Sequence, residues 1–90
     1  MKQKIKILEA IRQGSVGGGE THLLSLLEQM DRSRFEPVVL SFSDGPMIEK
    51  LNRLGIKTYV IDAHKAFDWS VWQKVKEIVE SEHIKLVHVH

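Results

Sequence analysis

The chain has no cysteine, which removes disulfides, thiol nucleophiles and any zinc site built on thiolate. It also lacks a block of single-sign charge. Thirteen basic residues against twelve acidic ones give a net charge of +1, so nothing points to nucleic acid or an anionic membrane as a general partner. No apolar run approaches the roughly 20 residues of a membrane span, and the N-terminus lacks the hydrophobic region of a signal peptide. The cytoplasm is the default compartment, since a reducing environment is compatible with these absences. What is present is ordinary for a globular chain: 42% hydrophobic and 28% charged residues in a length of 90. One small domain with a thin core is expected, because a fold of this size buries only about 60–65% of its unfolded surface.

The most informative stretch is Gly14-Ser15-Val16-Gly17-Gly18-Gly19-Glu20-Thr21-His22. An apolar run ending at Ile11 leads into it, and Leu23, Leu24, Leu26, Leu27 and Met30 lead out at helical spacing, the pattern of a strand, a glycine turn and a helix start. Glycines here leave no side chain between backbone N–H groups and a ligand. The first amides of a helix are unpaired donors, and its dipole adds partial positive charge. Such a corner suits an anion, most simply a phosphate; the plainer alternative is a tight turn with close helix-strand contact. It is not a P-loop, because no Lys-Ser or Lys-Thr follows the last glycine, and the spacing misses G-x-G-x-x-G. Glu20 falls in the first helical turn, where a carboxylate assists the cap, and His22 reads as a surface or crevice-lip residue.

Taken in order, Lys4 to Ile11 reads as a strand buried on both faces, as in a parallel sheet. Glu9 near its C-terminal end is either a crevice residue or a carboxylate paired with a Lys, an Arg or a backbone N–H. The first helix runs from about Gly18 to Met30, and Phe35 to Phe42 forms a second strand with Pro37 near its start. Asp44-Gly45-Pro46 starts a helix with Met47, Ile48, Leu51 and Leu54 on its inner face and Gly55 as the stop. Lys57 to Ile61 is a third strand, in which Tyr59 contributes packing. After a loop carrying His64, Lys65 and Phe67, Asp68 caps a third helix with Val71, Trp72, Val75, Ile78 and Val79 as its apolar positions. Ile84 to His90 is a fourth β-rich segment.

The order β-α-β-α-β-α-β with short joints predicts an α/β, Rossmann-like three-layer parallel sheet. Right-handed crossovers give strand order 3-2-1-4, with the switch point between strands 1 and 4. His88 and His90 project from one face of the last strand. His90 is better placed to meet a ligand, and His88 reads as a packed or hydrogen-bonded neighbour. Two imidazoles fall short of a zinc site, which wants three or four ligands, so no metal is expected. Asp44 could match the ribose-binding acid of an NAD site only by position, and a helix-capping role explains it better.

Gly17, Gly18, Gly19 and Glu20 after the first strand, the leucine-rich helix, Phe35-Glu36-Pro37-Val38-Val39-Leu40, Asp44-Gly45-Pro46-Met47, Leu54-Gly55-Ile56 and Val87-His88-Val89-His90 together resemble the first half of the N-terminal domain of family-4 glycosyltransferases. The resemblance implies a GT-B fold of two facing Rossmann-like domains and transfer of a sugar, with retention, from a nucleotide-sugar donor. It implies no metal and no cofactor beyond that donor. It assigns Gly17, Gly18 and Gly19 to the loop that approaches the donor diphosphate and His90 to the catalytic histidine beside the transferred sugar. The implied partners are a nucleotide-diphosphate sugar and a carbohydrate or lipid-linked acceptor, the latter held mainly by the N-terminal domain. Many relatives attach to the inner face of the membrane through a basic amphipathic face, for which Arg32, Arg34, Lys50 and Arg53 give little support.

Family members continue into a second domain whose Glu-x₇-Glu motif grips the donor. Residues 1–90 therefore read as one partial, acceptor-side domain, not active alone, whose fourth strand is an open edge prone to self-association. A stand-alone nucleotide-binding or interaction module, holding a phosphate without chemistry, is the alternative.

Overall fold

The computed structural model describes residues 4–11, 18–61 and 69–89. Seven elements follow one another: β1 (Ile5–Ile11), α1 (Gly18–Gln29), β2 (Phe35–Ser41), α2 (Pro46–Arg53), β3 (Lys57–Val60), α3 (Trp69–Ser81) and β4 (Leu86–Val89). The strands form one parallel sheet in the order β3-β2-β1-β4. This is the predicted Rossmann-like topology, with β4 at an edge.

Because side chains alternate along a strand, the sheet carries a separate apolar cluster on each face. Ile11 and Val39 pack with Leu23 and Leu27 of α1, Met47 and Leu51 of α2, and Ile56. On the other face Leu8, Val38 and Leu40 pack with Ile61 and with Val71 and Ile78 of α3. Each fully buried aliphatic side chain contributes about 1.5–3 kcal/mol, so these two thin layers hold the three-layer stack. β1 and β2 are buried mainly over their C-terminal halves, which leaves the start of β1 more open than a strand covered on both faces.

Both later helices end with a residue in the left-handed region. Gly55 has φ 76° and His83 has φ 57°. At α2 the Gly55 N–H reaches Asn52 O and the Ile56 N–H reaches Leu51 O; at α3 the His83 N–H reaches Glu80 O and the Ile84 N–H reaches Val79 O. This paired arrangement is the Schellman motif, and it satisfies carbonyls that the helix itself leaves open. Tyr59, Val79 and Ile84 then pack against the second cluster.

Two side chains expected on inner faces lie outward. Leu54 is 51% exposed, because it follows the last helical residue of α2 and the chain is already turning into Gly55. Trp72 is 56% exposed. At about 100° per residue, the inward stripe of α3 runs through Val71, Val75 and Ile78 and on to Glu82 just past its end, and Trp72 falls on its rim. Periodicity alone counted an apolar residue beside the stripe and missed the charged one on it.

Candidate functional site

β1 sends the chain to β2 on one side and borders β4 on the other, so the C-terminal ends of β1 and β4 flank the switch point where open parallel sheets bind ligands. Gly18 and Gly19 are the first two residues of α1, the next element after β1, so they supply main-chain donors of that helix start. Glu20 and His22 belong to the first two turns of the same helix. Gly17 and His90 lie outside the described residues, as do His64, Lys65, Phe67 and Asp68.

Across the switch point, Glu9 and His88 are register partners. His88 Nδ1 is 3.1 Å from Glu9 Oε2. Their surroundings differ sharply, since Glu9 is 2% exposed whereas the His88 side chain is 56% exposed. The carboxylate is therefore paired, and an imidazole is among its partners. His88 is the hydrogen-bonded neighbour expected from its place on the strand. The two share the face that α1 and α2 cover, because Val39, also a register partner of Glu9, belongs to that cluster. Among the described residues, no three His, Asp or Glu side chains gather as metal ligands would.

The end of β2 is occupied by its own turn. Ser41 Oγ donates to Ser43 O at 2.5 Å and accepts from the Ser43 N–H at 3.3 Å. Asp44 Oδ1 accepts the Gly45 N–H at 2.8 Å, Gly45 is the N-cap of α2 and Pro46 opens that helix. These short polar groups shape the strand-helix corner where a helix start was expected, but the cap is Gly45 and no side chain caps the helix, so Asp44 braces the turn before α2 instead of capping it.

At the opposite, N-terminal end of the sheet lies a charged centre that the sequence reading does not anticipate. Glu82 is 4% exposed. Its Oε1 accepts from Lys6 Nζ at 2.9 Å, its Oε2 lies 2.5 Å from Lys57 Nζ, and the Tyr59 hydroxyl donates to the same oxygen. Lys6 also reaches Glu36 Oε2 at 3.4 Å. Hydrogen bonds from Lys57, Tyr59 and Lys6 outweigh burial and hold the Glu82 carboxyl down to about 2. Its bond to Glu82 correspondingly raises each partner: Lys6, Lys57 and Tyr59 all titrate above their ordinary values. The available signal was two lysines at the starts of β1 and β3, on the face whose helix ends in an acid one turn beyond Ile78. Standing at the end away from the switch point, this cluster serves the framework.

No helix among the described residues is long and apolar enough to cross a membrane. Residues 16–90 match the family described as Glycosyltransferase Family 4. A comparison with curated proteins gives no match. Among solved structures, the chain is similar to a crystal structure of a glycosyltransferase from Rickettsia africae ESF-5, with a TM-score of 0.77 and 18% identity over 99% of this chain. That likeness concerns the fold. The chain spans about a quarter of that protein's length, 24%.

Proposed function

The chain belongs to glycosyltransferase family 4, and from that premise we propose that it is the first, acceptor-side part of a GT-B enzyme. The enzyme moves a sugar from a nucleotide-diphosphate donor to a carbohydrate or lipid-linked acceptor with retention. The observation that carries the reading is a helix that opens on two glycines and is the next element after a central strand, a strand that borders the switch point of a parallel sheet. Its leading amides and dipole meet the donor diphosphate and stabilise the charge that develops there as the sugar-phosphate bond breaks. Gly17 belongs to the same loop, and His90 faces the transferred sugar. The donor is otherwise gripped by a second domain, so residues 1–90 alone do not turn over substrate. The reaction runs in the cytoplasm, with peripheral attachment at the inner face of the membrane when the acceptor is lipid-linked. By itself, the 90-residue chain self-associates through β4.

The test is a titration of the full-length protein against a panel of nucleotide-diphosphate sugars, followed by turnover with the sugar that binds. Gly18→Val, with its circular dichroism unchanged, is expected to lower kcat/KM on the order of 100-fold, the loss typical of a donor facing developing negative charge. Full activity in a folded Gly18→Val protein would remove the loop from the mechanism.

A further inference from the structure

The Glu9–His88 pair joins the two strands that flank the switch point, one rung from the end of β4. Its neighbours on the ladder are apolar: Leu8 faces Val87 and Ala10 faces Val89. Pairing of β1 with β4 therefore needs no charge at that rung. Withdrawing a carboxylate from water costs several kcal/mol before any partner compensates it, and a leucine would fill the same space without that cost. A group so placed, beside an imidazole more than half open to solvent, borders the crevice where open parallel sheets bind ligands.

We propose that Glu9 is a positioning residue: it holds His88 in the Nδ1–H tautomer, so that Nε2 meets a sugar hydroxyl at the switch point. An ionised carboxylate has no proton to give, so the hydrogen shared across 3.1 Å sits on Nδ1. A neutral imidazole protonated there is an acceptor at its other nitrogen, and the tautomer is set by the partner that takes the first. A hydroxyl is the matching ligand because it offers an O–H to that lone pair. This inference rests on the glycosyltransferase reading. It adds a second histidine to the sugar side and gives a role to a carboxylate buried beneath the sheet's helical layer.

The experiment uses full-length protein labelled with ¹⁵N in its histidines. Long-range ¹H–¹⁵N correlation at a pH where His88 is neutral is expected to show Nδ1 protonated and Nε2 bare. Glu9→Leu keeps the volume and removes the acceptor, so the Nε2–H form becomes the major one. The same variant is expected to raise one KM about three- to ten-fold, the worth of one hydrogen bond. A rise for the nucleotide sugar assigns the hydroxyl to the donor, and a rise for the acceptor assigns it there. His88→Asn, which keeps a polar group but not the ring, is expected to raise the same KM. An Nε2–H tautomer in the unaltered protein overturns the positioning role even if the enzyme is active. A changed tautomer in Glu9→Leu with both KM values unmoved overturns the hydroxyl contact. The expected tautomer in a protein that binds no nucleotide sugar overturns the ligand together with the glycosyltransferase reading.

Discussion

Lys6 and Glu82 lie 76 positions apart in the chain and 2.9 Å apart in space. That bond ties the start of the central strand to the end of the last helix. Lys57 and Tyr59 add the outer strand to the same carboxylate. One nearly buried side chain thus connects β1, β3 and α3, and replacing it tests how much of the fold depends on the connection. Glu82→Gln keeps the shape and removes the charge. Because Lys6 and Lys57 are partly solvated, the expected loss is about 2 kcal/mol rather than the larger cost of breaking a fully buried pair. A urea midpoint unchanged from the parent protein would count against it.

The same centre sets a pH window. Glu82 titrates at about 2 in the fold against 4.5 ordinarily, so its contribution is complete above the ordinary value and drains away as pH falls toward 2. Lys6, Lys57 and Tyr59 are raised. Their contributions are therefore present below their ordinary values and disappear as pH climbs through the raised ones. Melting temperature is expected to be flattest between about pH 5 and 10, with a shallower acid limb in Glu82→Gln. An acid limb equally steep in both proteins would show that other carboxylates govern acid unfolding.

Gly55 and His83 occupy equivalent places in two helix ends. A Cβ added at Gly55 meets nothing within 4 Å, so any cost of Gly55→Ala comes from its φ of 76° alone, about 1 kcal/mol. His83 already bears that cost at φ 57°, so His83→Gly is expected to stabilise the protein by up to about 1 kcal/mol. Opposite shifts in melting temperature check both at once.

β4 exposes Leu86, Val87 and Val89, the last at 72%, on a strand with one hydrogen-bonded neighbour among the described residues. Sedimentation of the 90-residue chain is expected to show association that grows with concentration. Val89→Lys, which puts a solvated charge on the edge, is expected to shift the population toward monomer. A compact monomer for the unaltered chain at high concentration would contradict this expectation.

The sheet order, the seven elements and the glycine-opened first helix were legible because each rests on local pattern: apolar runs of strand length, leucines at helical spacing, and Gly-Pro punctuation. The Glu9–His88 pair was half legible. Position on the strands brought both residues toward the switch point, but only the register of β4 against β1 shows that they are partners. Glu82 was opaque, since an acid near a helix end reads as solvated until the lysines from the two strand starts converge on it. His83 was opaque for a related reason: the left-handed stop announced by Gly55 in α2 is made in α3 by a residue with no such preference.

The attachment of β4 also makes the sheet mechanically uneven. A pull on Val89 would strip the rungs to β1 one at a time, from Ala10 opposite Val89 back to Ile7 opposite Leu86. The tear then reaches Lys85, whose N–H holds Lys6 O at 3.0 Å, close in sequence to Glu82, where the load spreads into β1 and β3 through two lysines together. The strand peels softly at its switch-point end and is clamped at the other.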